Sequence, residues 1–152
     1  SSDLIQYCLD LSQVMYELSR ICHQNARLIF VVGRESTVRG TRIFNSEIVT
    51  EIAHRALGFD LTLRQERMFL NRFGQEIYED ILHFYPPDRG SEDQFLPTAR
   101  EIAREVLQAT VAIAPEKAED DIKQAIEKVD IVKPSPIFEL AKMLKQGQKY
   151  VF

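Results

Sequence analysis

The chain has 152 residues, 45% of them apolar and 28% charged, with a formal net charge of −4. That balance fits one globular domain with a small appendage and excludes a disordered tail, a collagen-like repeat and a disulfide scaffold. No run of roughly 18 apolar residues offers a membrane span. Ser1-Ser2-Asp3 lacks the basic start of a secretory signal, so a cytoplasmic protein is expected.

From Leu4 to Cys22, the residues Leu4, Tyr7, Cys8, Leu11, Val14, Met15, Leu18 and Ile21 recur at steps of three and four. This predicts an amphipathic helix with Asp3 as its cap. Cys8 and Cys22 both fall in it, roughly 21 Å apart at 1.5 Å per residue, too far to bridge. They are expected to stay reduced. His23, His54 and His83 are scattered without ligand spacing, so no metal site is expected.

The run Leu28-Ile29-Phe30-Val31-Val32-Gly33 reads as a strand buried on both faces, as in a parallel sheet. A polar loop over residues 34–42 follows. Asn45 then caps a helix with Ile48, Val49, Ile52, Ala53, Ala56 and Leu57 as its stripe and Gly58 as a left-handed stop. Phe59 to Leu70 is a strand with Phe59, Leu61, Leu63 and Phe69 on one face. Gln75 to Phe84 sets Ile77 and Ile81 opposite Tyr78, Leu82 and Phe84. With Asn71-Arg72-Phe73-Gly74 between them, these two predict a β-hairpin.

The fold class is therefore α/β: a partial doubly wound sheet, parallel except for a last strand that folds back antiparallel. Residues 1–85 make this unit and 86–97 a linker rich in Pro and Gly. Residues 98–133 make an α-helical hairpin striped by Ile102, Val106, Leu107, Thr110 and Val111, then Ile122, Ala125, Ile126 and Val129. Residues 134–152 form a tail with a short helix from Ile137 to Lys145.

Charge is unevenly placed. Every base before position 117 is arginine, and all seven lysines follow. Residues 27–74 hold eight arginines against five acids, whereas residues 88–130 hold eleven acids against six bases. An arginine-rich front suits phosphate or a carboxylate partner. The acidic helical hairpin is a poor DNA surface and is expected to pack on the sheet unit or on another subunit. Arg34, Glu35, Ser36, Thr37 and Arg39 leave the carboxyl end of a buried strand, where open α/β sheets place ligands. Arginines beside the aromatic hairpin tip can pair with phosphates while a ring stacks on a base. Equally, the hairpin can be a surface element laced by ion pairs to Glu76, Glu79 and Asp80. Glu79 and Asp80 cannot form a catalytic pair, because neighbours on a strand point to opposite faces.

Several segments in succession carry a resemblance: Glu17-Leu18-Ser19-Arg20, then Ala26 to Ser36 through Val31-Val32-Gly33, then Val38-Arg39-Gly40. Gly58-Phe59, the Asn71-Arg72 turn and Tyr78-Glu79-Asp80-Ile81-Leu82-His83-Phe84 continue it. Over residues 4–84 the chain resembles the C-terminal half of site-specific DNA methyltransferases that modify adenine N6 or cytosine N4. The resemblance implies that Asn71, Arg72 and Phe73 line the pocket of an extruded base. It also implies that Arg34, Glu35, Ser36, Arg39 and Arg42 lie beside that base or the DNA phosphates.

The family's Phe-x-Gly-x-Gly loop for S-adenosylmethionine and its Pro-Pro motif after the fourth strand are both missing. The only Pro-Pro, Pro86-Pro87, follows the final strand. This chain alone is thus expected to bind no S-adenosylmethionine and to be inactive. It needs a missing N-terminal half or second subunit, and is expected to self-associate through the open sheet edge. The alternatives are a non-catalytic interaction module of the same ancestry, or another nucleotide-related α/β domain.

Overall fold

A computed structural model describes residues 2–38, 40–88 and 94–137. Helix α1, Ser2–Ile21, leads into strand β1, Leu28–Gly33. Asp3 falls in the first turn of α1 rather than at its cap, where it still complements the positive end of the helix dipole. The buried stripe of α1 is Ile5, Cys8, Leu9, Ser12, Met15 and Ser19. Tyr7, Val14 and Ile21, expected inside, are exposed. The helix carries two apolar stripes, and small residues let the more intimate contact fall on the other one. Ser12 and Ser19 enter the core by donating to the carbonyls of Leu9 and Tyr16, at 2.6 and 2.7 Å.

Residues 34–42 are not the expected loop. Strand β2, Glu35–Val38, pairs antiparallel with β3, Thr41–Phe44. Two residues separate the paired ends Val38 and Thr41, and the second, Gly40, takes φ +79°, open to glycine at no steric cost. Helix α2, Asn45–Glu51, begins at Asn45 with Phe44 in the cap position. The expected Asn45 cap gives way to a sideways role. Its Nδ2 donates to the Gly33 carbonyl at 3.3 Å and its Oδ1 accepts from Ser36 at 3.1 Å, fastening the β2–β3 hairpin to the end of β1. The helix widens into a π turn over Ile52–Ala56 and stops at Gly58, φ +73°, the left-handed position its glycine implies.

Strands β4, Asp60–Leu70, and β5, Glu76–Tyr85, form the long hairpin. β5 lies between β1 and β4 and is antiparallel to both. Parallel pairing is therefore corrected for the described residues: β1 pairs along one edge only, with β5. Burial of β1 on both faces is corrected too, since Ile29 and Val31 are 54% and 56% exposed. The helices supply a single covering layer, which buries Leu28 and packs on Phe30 and Val32. A bulge between Leu61 and Leu63 turns Leu63 and Phe69 away from the face that holds Phe59 and Leu61, so these four residues do not share one side. On β5, Leu82 and Phe84 face inward, and Phe30 and Phe59 meet the Phe84 ring edge-on at 6.0 and 6.5 Å.

The helical hairpin is α3, Leu96–Val111, and α4, Glu116–Lys128. Phe95, assigned to the linker, is buried and stacks on Tyr16 at 4.8 Å. Ile102, Leu107, Ile122 and Val129 share one apolar cluster with Ile5, Cys8 and Leu9, so the pair packs on α1. A second cluster, around Met15, Leu28, Phe59, Leu82 and Phe84, lies under the sheet. The expected short helix from Ile137 to Lys145 falls almost wholly outside the described residues. No helix among the described residues is long and apolar enough to cross a membrane.

Phe84→Ala should lower the unfolding free energy by about 3–5 kcal/mol in a urea titration. Val31→Thr, on the uncovered face, should change it by less than about 0.5 kcal/mol. Equal losses at the two positions would mean that the outer face is covered in solution.

Candidate nucleic-acid interface

Pairing of β1 with β5 ends at Gly33 opposite Glu79, while β4 and β5 stay paired out to Leu70 and Glu76. The tip of the hairpin therefore projects past the end of β1. Its turn is built by Asn71, whose Oδ1 accepts from the backbone N–H groups of Phe73 and Gln75 at 2.9 and 3.0 Å. Its Nδ2 donates to Gln75 at 3.0 Å. Such side-chain bonds to the following backbone are why Asn favours turns. Phe73 is 70% exposed, with the Arg72 guanidinium 4.6 Å from the centre of its ring. The three residues expected to line a base pocket are thus together at one exposed tip. Asn71 is committed to the turn, whereas Arg72 and Phe73 face solvent.

The other expected group gathers where β1 gives way to β2. Arg34 leaves Gly33, and its backbone N–H donates to the Tyr78 carbonyl at 3.0 Å. Its guanidinium lies over the Tyr78 ring at 5.0 Å, donates to Asp80 at 3.1 Å and pairs closely with Glu66. Asp80 is fully buried on the inner face of β5 and also accepts from Arg64 at 3.1 Å and from Ser46. Burial raises the pKa of its carboxyl, but hydrogen bonds from Arg34, Ser46 and Arg64, with the Arg64 charge, outweigh that and hold it below the ordinary carboxylate range. Arg34 Nε is buried and has no acceptor among the described residues.

Glu35 and Arg42 pair across the β2–β3 hairpin at 3.3 Å, and Ser36 donates to Asn45. Arg39 lies outside the described residues. Arg67 pairs with Glu79 directly across the long hairpin, and Arg55 with Glu51 and Glu105. The ion-pair reading of the hairpin is therefore realised at Glu79 and Asp80, which lie on opposite faces, but not at Glu76, which accepts from the Tyr78 hydroxyl at 2.8 Å. Among the described arginines between positions 27 and 74, Arg27 and Arg72 alone meet no carboxylate. Arg27 lies over the Tyr85 ring at 5.8 Å and donates to its hydroxyl at 3.2 Å.

Sequence reading missed the part played by Asp80, Glu66, Arg64 and Tyr78. Its signal was present: Asp80 shares the even-numbered face of Leu82 and Phe84, and an inward carboxylate requires cations. An apolar cavity of about 340 Å³ opens at the carboxyl end of β1 between Leu4, Tyr7, Val32, Val38, Ile43 and Leu107. Ser36, Asn45 and Thr110 at its wall are already partnered, the Asp3 carboxylate and Tyr7 also line it, and the rest of the lining is apolar, so it offers few groups to orient a polar ligand. No cluster of three or more potential metal ligands occurs among the described residues.

Comparison with protein-family models, with curated proteins and with solved structures gave no match in any of the three.

A depressed folded-state pKa contributes stability above the ordinary aspartate value, near pH 4, that disappears as acid protonates the group in the native state. Unfolding free energy should therefore fall as the pH drops below about 4. Asp80→Asn should flatten that fall and cost about 2–3 kcal/mol at pH 7, because a charged acceptor is lost beneath two arginines. Denaturant titrations of both proteins at pH 7 and pH 3 check this; an unchanged acid slope in the variant would remove Asp80 from the account.

Proposed function

We propose that this chain is the target-base half of a DNA-methyltransferase-like enzyme, acting on adenine N6 or cytosine N4, that a separate segment must complete. The observation that carries the reading is the free edge of β1. This strand is apolar on both sides and uncharged from Leu28 to Gly33, yet among the described residues it is paired along one edge and covered on one face. Charges are what usually protect an edge from further pairing. A parallel strand with its flanking helices, added on that side, would bury Ile29 and Val31 and end beside Arg34, whose Nε has no acceptor among the described residues. The order α1, β1, α2 and then a closing hairpin also fits the resemblance.

In this reading Arg72 and Phe73 meet the extruded base, the ring stacking and the guanidinium reaching phosphate or base edge. Asn71 shapes the turn that presents them. Arg34 and Arg42 are largely neutralised by their acids, and with Glu35 and Ser36 they hold the frame of the site while Arg39 contributes charge. The residues present do not fit S-adenosylmethionine: the sequence has no Phe-x-Gly-x-Gly loop after a strand, and the cavity at the end of β1 is walled mainly by apolar side chains. The donor belongs to the completing segment. Cytoplasmic residence with reduced thiols, and self-association through the β1 edge when that segment is absent, follow from the same reading.

A non-catalytic interaction module remains the competing interpretation, favoured by the pairing of most of the arginines with carboxylates. Co-expression with a segment bearing a Phe-x-Gly-x-Gly loop and an Asp-Pro-Pro-Tyr type motif, followed by assay with labelled S-adenosylmethionine and DNA, separates the two. Label should enter DNA only when both parts are present, and calorimetry should find no saturable donor binding to this chain alone. Arg72→Ala with Phe73→Ala should weaken DNA binding of the complex about tenfold and reduce its salt slope by about one. A stable complex that neither methylates DNA nor responds to the double variant would establish the module instead.

A further inference from the structure

The apolar cavity of about 340 Å³ at the carboxyl end of β1 has no part in the methyltransferase reading. One wall is the β2–β3 hairpin, whose register sets Ser36, Val38 and Ile43 on a single face. Leu4 of α1, Leu107 of α3 and Ile122 of α4 complete the chamber. The hairpin is fastened at both ends. Asn45 ties its base to Gly33 and Ser36, and at its turn Gly40 lies against Pro115, where a Cβ would touch the proline ring at 3.5 Å. Protein interiors pack as densely as organic crystals, so a gap this large between fastened walls belongs to the design of the fold. It is about twice the roughly 150 Å³ that admits one benzene ring, which sizes an occupant at two rings or the aliphatic equivalent.

The polar side chains of the lining set the chemistry of that occupant. Ser36 and Thr110 have each spent their one hydroxyl proton, on Asn45 and on the Val106 carbonyl, and can only accept. The Asp3 carboxylate also only accepts, and it meets no cation among the described residues. Tyr7 follows one helical turn later on the same side of α1. Both are exposed to solvent as well as lining the chamber, which puts them at its mouth. Against these acceptors the side chains offer the second amide hydrogen of Asn45 and the Tyr7 hydroxyl, which serves either way. A carboxylate beside an aromatic ring, over an apolar chamber short of donors, suits a ligand with N–H groups and positive charge at one end and hydrocarbon elsewhere.

We propose that this cavity binds a small apolar amine. Its hydrocarbon body lies among Leu4, Val32, Ile43 and Leu107, and its ammonium sits at the mouth between the Asp3 carboxylate and the Tyr7 ring. The inference stands apart from the methyltransferase reading, since it uses neither the free edge of β1 nor the hairpin tip.

Three probes that share one ring system and differ in the head group test it: naphthylethylammonium, naphthylethanol and naphthylacetate. Each is titrated into the full chain at neutral pH, followed by calorimetry and by the methyl NMR signals of Leu107 and Ile122. The ammonium should bind about fivefold more tightly than the alcohol, and the carboxylate about fivefold more weakly, the modest factors expected at a partly hydrated carboxylate. Asp3→Asn should bring the ammonium to the affinity of the alcohol and leave the alcohol unchanged. Val38→Phe, at a wall position that is 38% exposed, should fill the chamber and weaken all three probes at least tenfold. Leu4→Phe, from the facing wall, is the second filling variant and should do the same. Absence of saturable binding by any probe would overturn the proposal. So would affinities indifferent to the head group or to Asp3→Asn, or binding untouched by both filling variants.

Discussion

Strand β5 is held on both edges, and the remaining structure is arranged around that double pairing. β1 reaches it from one side and β4 from the other, so the last strand of the sheet in sequence is the middle one in space. Its inner face carries Leu82 and Phe84, around which the aromatic cluster closes, and then Asp80, around which Arg34, Arg64 and Ser46 gather. One strand therefore supplies an apolar anchor and a polar anchor two residues apart. The polar one fixes the path of the chain where β1 becomes the β2–β3 hairpin. A buried carboxylate is costly unless saturated, and here its saturation ties three elements together: Arg34, folded back over Tyr78, with Arg64 and Ser46.

Elements defined by long periodic runs were legible in the sequence. Helix α1, strand β1, the long hairpin and the helical pair all lie where spacing and punctuation indicate. Gly58 stops its helix with the positive φ that its position implies. What spacing could not reveal was which of two apolar stripes on α1 goes inward, because Val14 and Leu9 look alike in hydropathy and only the close approach of other helices to Cys8, Ser12 and Ser19 selects between them. The β2–β3 hairpin escaped because charged residues mask its alternation. Thr37, Val38, Thr41 and Ile43 around a glycine turn were the stronger indication. Parallel pairing of β1 was inferred from its apolar run, which states that both faces seek burial without stating that this chain provides the cover.

The candidate site shows a similar division. Residue positions could be read, since Asn71, Arg72 and Phe73 do share the hairpin tip, and Arg34, Glu35, Ser36 and Arg42 do gather at the end of β1. Electrostatic availability could not, because an arginine count does not reveal which guanidinium already has a carboxylate. Cross-strand register decides that: Arg67 stands opposite Glu79, and Arg64 is diagonal to Asp80. Among the described arginines between positions 27 and 74, the two without a carboxylate partner, Arg27 and Arg72, lie beside aromatic rings. That arrangement suits contact with a flat, partly charged surface better than diffuse attraction to a polyanion.

Insertion of the final strand between two earlier ones also sets an order of events during synthesis. Leu28 pairs with Phe84, so β1 leaves the ribosome roughly 3–10 s before its partner at 5–20 residues per second. Throughout that interval both of its edges are bare and its five apolar residues have no sheet to join. Closure of so long a loop makes the β1–β5 ladder a slow step relative to the local hairpins. The nascent chain is thus most exposed to chaperones, and most prone to clumping, just before Tyr85 emerges.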